Sequence, residues 1–502
     1  MAVKTNSELA AFFETGDQPS ETEFGHLIDT IQPSHVLLGD EDTTFTVANS
    51  CRFNSADSAE LTKTPGSAGN LDAWTLSFWF KRSNISGAGA TSYQALYGVY
   101  ADANNQEILA IQNDDVMYWQ LYQSGSVVGQ LTTNRKFRDV AAWYNVVISY
   151  DSANGTAGNR MRMWINGTEE TSFSTDTNPS SGLDSAWNGT TKHQIGMITT
   201  TNKFDGYMAE IVSLDGTAVT NASSFGEFDE DSPNIWKPID VSGLTFGTNG
   251  FYLDFEDSSN LGNDKNGGTD FSEDNIVAAD QATDTPTNNF ATLNPLSGLI
   301  SSISYTEGNL KFTNSAADAH RMVNSTIAAS SSKWYAEVKV VSVGGDFPQI
   351  GIIDPSLFDH DDHLGSSGGG YAYLGDGNKR FNGSATSFGD TYTDGDIIGI
   401  AMDLDNSKLY FAKNGTWQNS GDPTSGGTGT GSAYDIASGV FYTFAQTSYD
   451  SGTDPVFDWN FGNPPYANSS SAADANGYGD FEYAPPAGYY ALCTKNLAEF
   501  GG

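Results

Sequence analysis

Cysteine, basic side chains and long apolar runs are all scarce in this sequence. The two cysteines, Cys51 and Cys493, lie at opposite ends of the chain, which predicts two buried thiols rather than a disulfide framework. No run approaches the roughly 20 apolar residues that a membrane-spanning helix needs. The opening residues also lack the apolar segment of a secretory signal peptide, so we expect neither membrane insertion nor export by that route.

Positive charge is the second scarcity. The 502 residues include 23 lysines and arginines against 62 aspartates and glutamates, which gives a formal net charge of −39. A surface of this sign repels phosphate backbones and anionic lipids, so we expect no nucleic-acid partner and no membrane insertion. The acidity is expected to form a solvated, self-repelling surface rather than a store of cations.

Glycine and alternating apolar residues, in contrast, are abundant. The 54 glycines supply many turns. Residues 143–167 predict a β-hairpin, because apolar side chains alternate in both halves and Asn166-Gly167 suits a type I′ turn. Residues 396–415 repeat the pattern and end in Asn414-Gly415. Two copies of one unit, about half a chain apart, predict two related antiparallel β-sandwiches in tandem.

Two further strands show which side chains should face the cores. WTLSFWFKR and SKWYAEVKV both alternate with the period of two that a half-buried strand requires. A prolyl pair, Pro485-Pro486, is incompatible with a central strand and predicts an edge or a strap over the second sandwich. The residues predicted to face the cores are Trp74, Leu76, Phe78, Phe80, Trp334, Ala336, Val338 and Val340.

The first 44 residues differ from the rest because their apolar residues recur with helical spacing. Two short helices with phenylalanine-rich stripes are predicted, separated by the turn TGDQP. Helices this short are marginal alone, so the stripes need a partner: another copy of the chain, a larger assembly or the adjacent sandwich. The residues of these stripes are Leu9, Phe12, Phe13, Phe24, Leu27, Ile28 and Ile31.

This opening resembles the N-terminal segment of tail-fibre and other virion proteins of marine bacteriophages. The resemblance implies attachment to a virus particle through the apolar stripes, a location in the virion after assembly in the host cytoplasm, and a homo-oligomer, with a trimer favoured. The matching residues are Glu8, Leu9, Phe12, Thr15, Gly16, Asp17, Pro19, Phe24, Leu27, Ile28, Asp29 and Ile31.

Two further resemblances cover most of the remaining chain. WTLSFWFK, WYNVVISYD, MRMWING and FDGYMAEIVSLDG resemble a laminin-G-like domain of the concanavalin A type. The second half resembles a SPRY domain, a binding module without chemistry of its own. The residues that carry the second resemblance are Lys333, Trp334, Tyr335, Glu337, Val338, Gly395, Asp396, Ile397, Ile398, Gly399, Asp403, Asp405, Tyr410, Phe411, Lys413, Asn414, Gly415, Asn460, Phe461 and Gly462.

These observations predict an all-β fold of two tandem concanavalin-like antiparallel β-sandwiches of the jelly-roll type, with a short α-helical N-terminal anchor. We place a docking segment at 1–44, a laminin-G-like sandwich at 45–298 and a SPRY-like sandwich at 299–502. The acidic stretch 257–298 is predicted to link the sandwiches.

No catalytic pattern emerges from the sequence. Concanavalin-like glycosidases carry their acids as Glu-x-Asp-x-x-Glu on one strand, and this string is missing. Glu210 is a single strand carboxylate, which more often accepts structural hydrogen bonds than catalyses a reaction. We therefore expect no enzymatic activity.

Two clusters resemble metal ligands, both weakly. Asp264, Asn266 and Asp270 offer oxygen atoms on a glycine-rich loop, so a calcium ion is one interpretation and a plain acidic turn is the other. His360 and His363 flank two aspartates, but adjacent loop residues cannot all face one ion. A solvated loop is expected there, and no cofactor is predicted with confidence.

Exposed aromatic rings are the remaining candidates for ligand contact. Trp187 and Trp417 both sit among loop residues, and each either caps a core or stacks on a ligand such as a sugar ring.

The preferred hypothesis is a non-enzymatic phage fibre or appendage that binds host-surface glycan or protein. The alternative is a capsid or tail decoration protein whose sandwiches bind neighbouring subunits. A secreted adhesin is weakened by the missing signal peptide.

Overall fold

The fold is seen in a computed structural model that describes residues 45–85, 93–297, 301–345 and 348–501. Residues 47–502 form one compact unit. The predicted helical anchor lies outside the described residues, and so do the docking residues Leu9, Phe12, Phe13, Phe24, Leu27, Ile28 and Ile31.

The first half of the compact unit is built from short strands joined by tight turns. In chain order they are β1 (Ser50–Phe53), β2 (Glu60–Lys63), β3 (Ala73–Arg82), β4 (Gln94–Asp102), β5 (Asn105–Ile111), β6 (Val116–Gln123), β7 (Ser126–Lys136), β8 (Tyr144–Asp151), β9 (Met161–Ile165), β10 (Thr168–Glu169), β11 (Phe173–Thr177), β12 (His193–Ile195), β13 (Met197–Thr199), β14 (Asn202–Lys203), β15 (Gly206–Asp215), β16 (Gly226–Phe228), β17 (Trp236–Pro238), β18 (Phe251–Leu253), β19 (Ser272–Asp274) and β20 (Gln281–Ala282).

These strands form two facing sheets. One has the order β10-β9-β8-β3-β15-β1-β20 with β18 on β15, and the other has the order β11-β7-β6-β5-β4-β12-β2-β19. All their pairings are antiparallel, which matches the predicted sandwich. The side chains between the sheets form one core that contains the predicted alternating set of β3, Trp74, Leu76, Phe78 and Phe80.

The second half follows the same plan. Its strands are β21 (Ile303–Thr306), β22 (Lys311–Asn314), β23 (Ala319–Asn324), β24 (Lys333–Ser342), β25 (Gln349–Ile353), β26 (Gly370–Leu374), β27 (Asn378–Phe381), β28 (Ser384–Ser387), β29 (Ile397–Asp403), β30 (Lys408–Lys413), β31 (Thr416–Trp417), β32 (Tyr434–Asp435), β33 (Thr443–Asp450), β34 (Val456–Asn460) and β35 (Tyr490–Ala491), and helix α1 spans Thr494–Phe500.

These strands also form two sheets, ordered β21-β22-β34-β24-β29-β30-β31 and β23-β33-β25-β26-β27-β28. The predicted inward residues of β24, Trp334, Ala336, Val338 and Val340, all lie in the core between them. The fold class is therefore confirmed for the described part of the chain: it is nearly all β and contains two antiparallel sandwiches.

The two predicted hairpins are present and share one further detail. In the first, β8 pairs with β9, and Asn166 and Gly167 take φ values of 47° and 74°. In the second, β29 pairs with β30, and Asn414 and Gly415 take 48° and 76°. Positive φ at both positions is what the Asn-Gly pair supplies at low cost.

The side chain of the asparagine in each turn also accepts an equivalent hydrogen bond from the backbone. Asn166 Oδ1 accepts a hydrogen bond from the Asn145 backbone N–H at 2.8 Å, and Asn414 Oδ1 accepts one from the Ile397 N–H at 2.8 Å. Each asparagine thus closes the open end of its hairpin, which is a local reason for the repeated motif.

The outer faces of the central strands are also buried, which alternation alone did not predict. On the first sandwich, residues 219–252 cover β8, β9 and β15, and Val147, Trp164 and Val212 pack beneath them. On the second sandwich, a strap of residues 463–493 covers Tyr335 and Tyr410. The strap contains Pro485-Pro486, as predicted, and its strand β35 pairs in parallel with β24.

The sandwiches meet through buried cations on the outer face of the first sheet. Lys81 donates hydrogen bonds to Asp284 Oδ2 and to Asn289 Oδ1, both at 2.7 Å, and only 1% of its side chain is exposed. Arg52 contacts Asp280 at 3.5 Å and Glu307 at 3.3 Å. Because Asn289 precedes the second core and Glu307 lies within the second sandwich, these cations join the two halves.

The acidic stretch predicted as a linker contributes to both halves. Strand β19 pairs with β2, and β20 pairs with β1, in the first sandwich. Ala291 and Leu293 then pack in the second core. The predicted domain boundaries at 44 and 298 remain predictions.

Two smaller expectations concern thiols and membranes. Cys51 and Cys493 are both free and buried, as expected. No helix among the described residues is long and apolar enough to cross a membrane.

Lys81 gives a test of the junction, because its ammonium bonds Asp284 beside β20 of the first sandwich and Asn289 at the start of the second core. Lys81→Met leaves the buried Asp284 carboxylate without its cation, so we expect the free energy of unfolding to fall by about 3–5 kcal/mol in urea titrations. The exposed pair Arg162–Glu169 is the matched control, since Glu169→Gln should cost at most about 1 kcal/mol. Equal losses in the two variants would contradict the role given to Lys81.

Candidate ligand-binding site

A pocket opens at one end of the first sandwich, where strands of both sheets end. Arg82 is the last residue of β3 and Gln94 the first of β4, while Lys203 and Asp205 flank the loop before β15. We call this the rim pocket; its volume is 220 Å³, and its lining includes Ser55, Arg82, Tyr93, Gln94, Lys203 and Asp205.

Three buried side chains of the rim pocket carry atoms without a hydrogen-bond partner in the protein: Arg82 Nε, Gln94 Oε1 and Asp205 Oδ1. Their residues are only 1%, 8% and 4% exposed. A buried polar atom that forms no hydrogen bond costs about 1–3 kcal/mol, and such atoms are uncommon in folded proteins. Three of them belong to residues that line one pocket, which makes the rim pocket the candidate site for a polar ligand.

The other atoms of these side chains are fixed. Arg82 Nη1 donates to Asp115 Oδ1 at 3.0 Å and to the Phe137 carbonyl oxygen. Gln94 Nε2 donates to the Asn84 carbonyl oxygen at 2.7 Å, and Ser55 Oγ donates to Asp205 Oδ2 at 2.6 Å. The free atoms are therefore held in place before any ligand arrives, which lowers the entropic cost of binding.

The electrostatics of the pocket are mixed. Burial raises the pKa of Asp205 to about 6, with Ser55 acting in the opposite direction through its hydrogen bond. The guanidinium of Arg82 offers a donor and the carboxyl of Asp205 an acceptor within one pocket. Hydroxyl groups, which donate and accept together, complement such a lining.

The lining offers little for catalysis. Asp205 is the only carboxylate among the described residues that line the rim pocket. Hydrolysis of a glycosidic bond uses two carboxyl groups, about 5–5.5 Å or 6.5–9.5 Å apart. The geometry of this pocket therefore suits recognition better than bond cleavage.

The two tryptophans proposed for ligand contact both pack inward. Trp187 is fully buried, with 0% exposure, and its indole nitrogen donates to Ser213 Oγ at 3.2 Å. This burial favours the interpretation that Trp187 caps the core over contact with a ligand, because the loop that carries it folds into the core beside Trp74. Trp417 is half-buried against the cluster under the strap, and its role in ligand contact stays a prediction.

The weak calcium candidates form a tight turn with a basic neighbour. Asp264 Oδ1 accepts from the Tyr252 and Asn266 backbone N–H groups, and Asp270 Oδ1 accepts from the Asp264 N–H at 2.9 Å. The Lys63 ammonium lies 3.6 Å from Asp264 Oδ2. A cation is thus already present at this carboxylate, which favours the acidic-turn interpretation, and calcium stays a prediction.

The histidine cluster lies on a loop, and its expected lack of a metal ion stays a prediction. Among the described residues, ligand atoms of Asp359, His360 and Asp361 lie within 4.8 Å of one another. Arg321 Nη1 is only 2.6 Å from Asp361 Oδ1, so a guanidinium already neutralises that carboxylate. Repulsion from this guanidinium disfavours a metal ion there.

Sequence reasoning missed the residues of the rim pocket. Arg82 ends an otherwise apolar strand, and Asp205 precedes the glycine of FDGYMAEIV, so each looks like an ordinary strand terminus. One signal was available: Lys81-Arg82 is a pair of cations at the end of a strand in a chain that has few cations.

Glu210 is a hydrogen-bonded structural carboxyl, as its isolation in the sequence indicated. It lies at a bulge in β15, with φ of 50°, and accepts from the Tyr252 hydroxyl at 2.6 Å. Burial raises the pKa of Glu210 to about 8 from an ordinary value of 4.5, with Asp254, Glu256 and Asp240 adding to the rise.

This shift predicts a pH-dependent stability. Because the folded state holds the Glu210 proton more tightly, its contribution is fully present below pH 4.5 and is lost as the pH rises towards 8. We expect Tm to fall across this interval more steeply in the wild type than in Glu210→Gln, which cannot ionise. Parallel Tm profiles for the two proteins would contradict the assignment.

Comparison with known proteins agrees with this geometry. Residues 53–220 match the concanavalin A-like lectin/glucanases superfamily, and residues 333–431 match the SPRY domain. The first match includes Arg82, Gln94 and Asp205, so these residues of the rim pocket lie within the matched region.

Among solved structures, the SPRY domain of human HERC1 is similar at 16% identity and a TM-score of 0.25, over 30% of this chain and 87% of its own. A second human SPRY domain has 17% identity and a TM-score of 0.25, and the match covers 33% of this chain and 97% of that domain. A heptameric SAP-like pentraxin from Limulus polyphemus has 14% identity and a TM-score of 0.26, and the match covers 35% of this chain and 80% of the pentraxin chain.

Both matched kinds of domain are typically binding modules without catalytic activity. Residues 53–220 are therefore similar to a concanavalin A-like, lectin-type domain and residues 333–431 to a SPRY domain, and these similarities together suggest a role in binding.

Proposed function

We propose that the protein is a non-enzymatic bacteriophage virion component, a fibre or appendage that binds a host-surface glycan through the rim pocket. The single observation that carries the binding half of this proposal is the set of unpartnered atoms on Arg82, Gln94 and Asp205. A sugar bears adjacent hydroxyl groups that both donate and accept, so one ring can satisfy all three atoms.

The size of the site also suits this ligand. The rim pocket has a volume of 220 Å³, room for one sugar residue of a longer chain. Tyr93 and Ile111 add apolar surface to its lining. An apolar face beside convergent polar groups is the usual composition of a small-molecule site.

The virion half of the proposal is supported by the sequence of residues 1–44. Its string of residues resembles the attachment segment of marine phage fibres, and its apolar stripes need a partner to be buried. In this proposal residues 1–44 bind other virion proteins, the fibre is a homo-trimer, and assembly takes place in the host cytoplasm. The net charge of −39 supports partners other than nucleic acid or membrane.

A decoration protein of the capsid or tail is the second candidate. Large apolar side chains are exposed on both sandwiches, including Val277 at 62% and Phe441 at 59%. Such side chains are suited to contacts with neighbouring subunits, although single exposed apolar residues are also common on free surfaces.

Glycan binding is tested on an array of host-surface polysaccharides. Asp205→Asn and Gln94→Ala each remove one acceptor from the rim pocket. We expect glycan affinity to fall about 10–100-fold in Asp205→Asn, which loses a carboxylate, and about 5-fold in Gln94→Ala, which loses a neutral amide. Asp231→Asn, at an exposed position outside the pocket, is the matched control and should bind normally. Array signals that both pocket variants retain in full would overturn the assignment, and an empty array would favour decoration.

Docking is tested by removing residues 1–44. We expect the shortened protein to be lost from purified particles, because the apolar stripes that attach it are gone, while the Tm of the two sandwiches stays unchanged. Normal incorporation of the shortened protein would contradict the docking role.

A further inference from the structure

A second pocket opens where the two sandwiches meet. One wall comes from the end of the acidic stretch, with Gln281 and Thr283, and the other from the strap of the second sandwich, with Tyr466, Asn468 and Asp480. We call it the junction pocket, and its volume is 220 Å³. It is separate from the rim pocket, with which it shares no lining residue.

The junction pocket also has polar atoms that lack partners. The Tyr466 hydroxyl and Asn468 Oδ1 are shielded from solvent, and neither forms a hydrogen bond within the protein. Asn468 is held from its other end, because its Nδ2 donates to the Asp480 carbonyl oxygen at 2.7 Å. The Lys339 ammonium lies 4.6 Å from the centre of the Tyr466 ring, which holds that ring by a cation–π contact.

The two walls are tied together by a buried arginine. Arg52 Nη1 donates to the Pro464 carbonyl oxygen at 3.2 Å, and its Nη2 donates to the Ala279 carbonyl oxygen at 2.7 Å. Thr283 Oγ1 donates to the Gly462 carbonyl oxygen at 2.8 Å. Since one guanidinium bonds both walls, the shape of the pocket is set before binding, which lowers the cost of ordering a ligand.

The lining selects for a ligand that donates hydrogen bonds. Asn468 Oδ1 and the Asp480 carboxylate are acceptors, and the hydroxyls of Tyr466, Ser258 and Ser471 both donate and accept. No lysine or arginine is among the described residues that line the pocket. An anionic ligand would meet Asp480 without a compensating cation, so the pocket disfavours carboxylates and phosphates.

We propose that the junction pocket is a second ligand site, specific for a polyhydroxylated molecule without negative charge and of about the size of a monosaccharide. The ligand contacts both sandwiches, donates to Asn468 Oδ1 and Asp480, and exchanges a hydrogen bond with the Tyr466 hydroxyl. This site goes beyond the proposed function, because it does not depend on the rim pocket.

The test uses the full chain and saturation-transfer NMR with three sugars that differ in charge: galactose, glucosamine and glucuronic acid. Tyr466→Phe removes the unpartnered hydroxyl and keeps the ring, so we expect the affinity for galactose at this site to fall about 5-fold. Because a buried atom without a partner is removed, Tm without ligand should not fall. Ala467→Trp, at the exposed edge of the pocket, should abolish binding by filling it.

The rim variant Gln94→Ala separates this site from the proposed function. Galactose signals that persist in Gln94→Ala but are lost in Ala467→Trp support the junction pocket, whatever the glycan array shows. Signals lost in Gln94→Ala and kept in Ala467→Trp belong to the rim pocket and overturn this proposal. Equal binding of glucuronic acid, or no galactose binding in the wild type, would overturn it as well, whereas binding of glucosamine agrees with the attraction between its ammonium group and Asp480.

Discussion

The contact on which the rest of the molecule depends is the burial of two cations, Lys81 and Arg52, between the sandwiches. Removing a charge from water costs several kcal/mol, and the cost is offset only when the charge is paired and hydrogen-bonded. Lys81 meets Asp284 and Asn289, and Arg52 meets Asp280 and Glu307. Asp280 and Asp284 flank β20 of the first sandwich. Asn289 leads into the second core and Glu307 lies within the second sandwich, so each cation keeps its full set of partners only while the halves are docked.

Strand alternation explains how the adjacent residues Lys81 and Arg82 contribute to two different places, the junction and the rim pocket. Lys81 and Arg82 are neighbours in β3, and consecutive side chains of a strand point to opposite faces. Lys81 therefore reaches the second sandwich, while Arg82 reaches Asp115 and lines the rim pocket. Arg52 acts similarly from β1, where its neighbour Cys51 lies in the core. The rim pocket and the docking of the sandwiches thus depend on the same strands.

The parts of this fold that follow from local pattern were predictable, and the parts set by tertiary contact were not. Alternation placed Trp74 and Trp334 in the cores, and Asn-Gly pairs marked both hairpins. Alternation alone does not predict that the outer faces of the central strands are buried. They are covered by residues 219–252 and 463–493, and no local sequence pattern specifies where these segments pack. The burial of Trp187 is a second example, because local pattern places this residue in a loop and only tertiary contact shows that it is fully buried. The rim pocket was missed because its residues are distant in sequence and meet only after both sheets form.

The central claim is that the buried cations make the two sandwiches one cooperative unit. Differential scanning calorimetry of the intact protein tests it most directly, because the ratio of the calorimetric to the van't Hoff enthalpy counts cooperative units. The account predicts a single transition for the two sandwiches with a ratio near one. Two resolved transitions, each with the enthalpy expected of one sandwich, would contradict it.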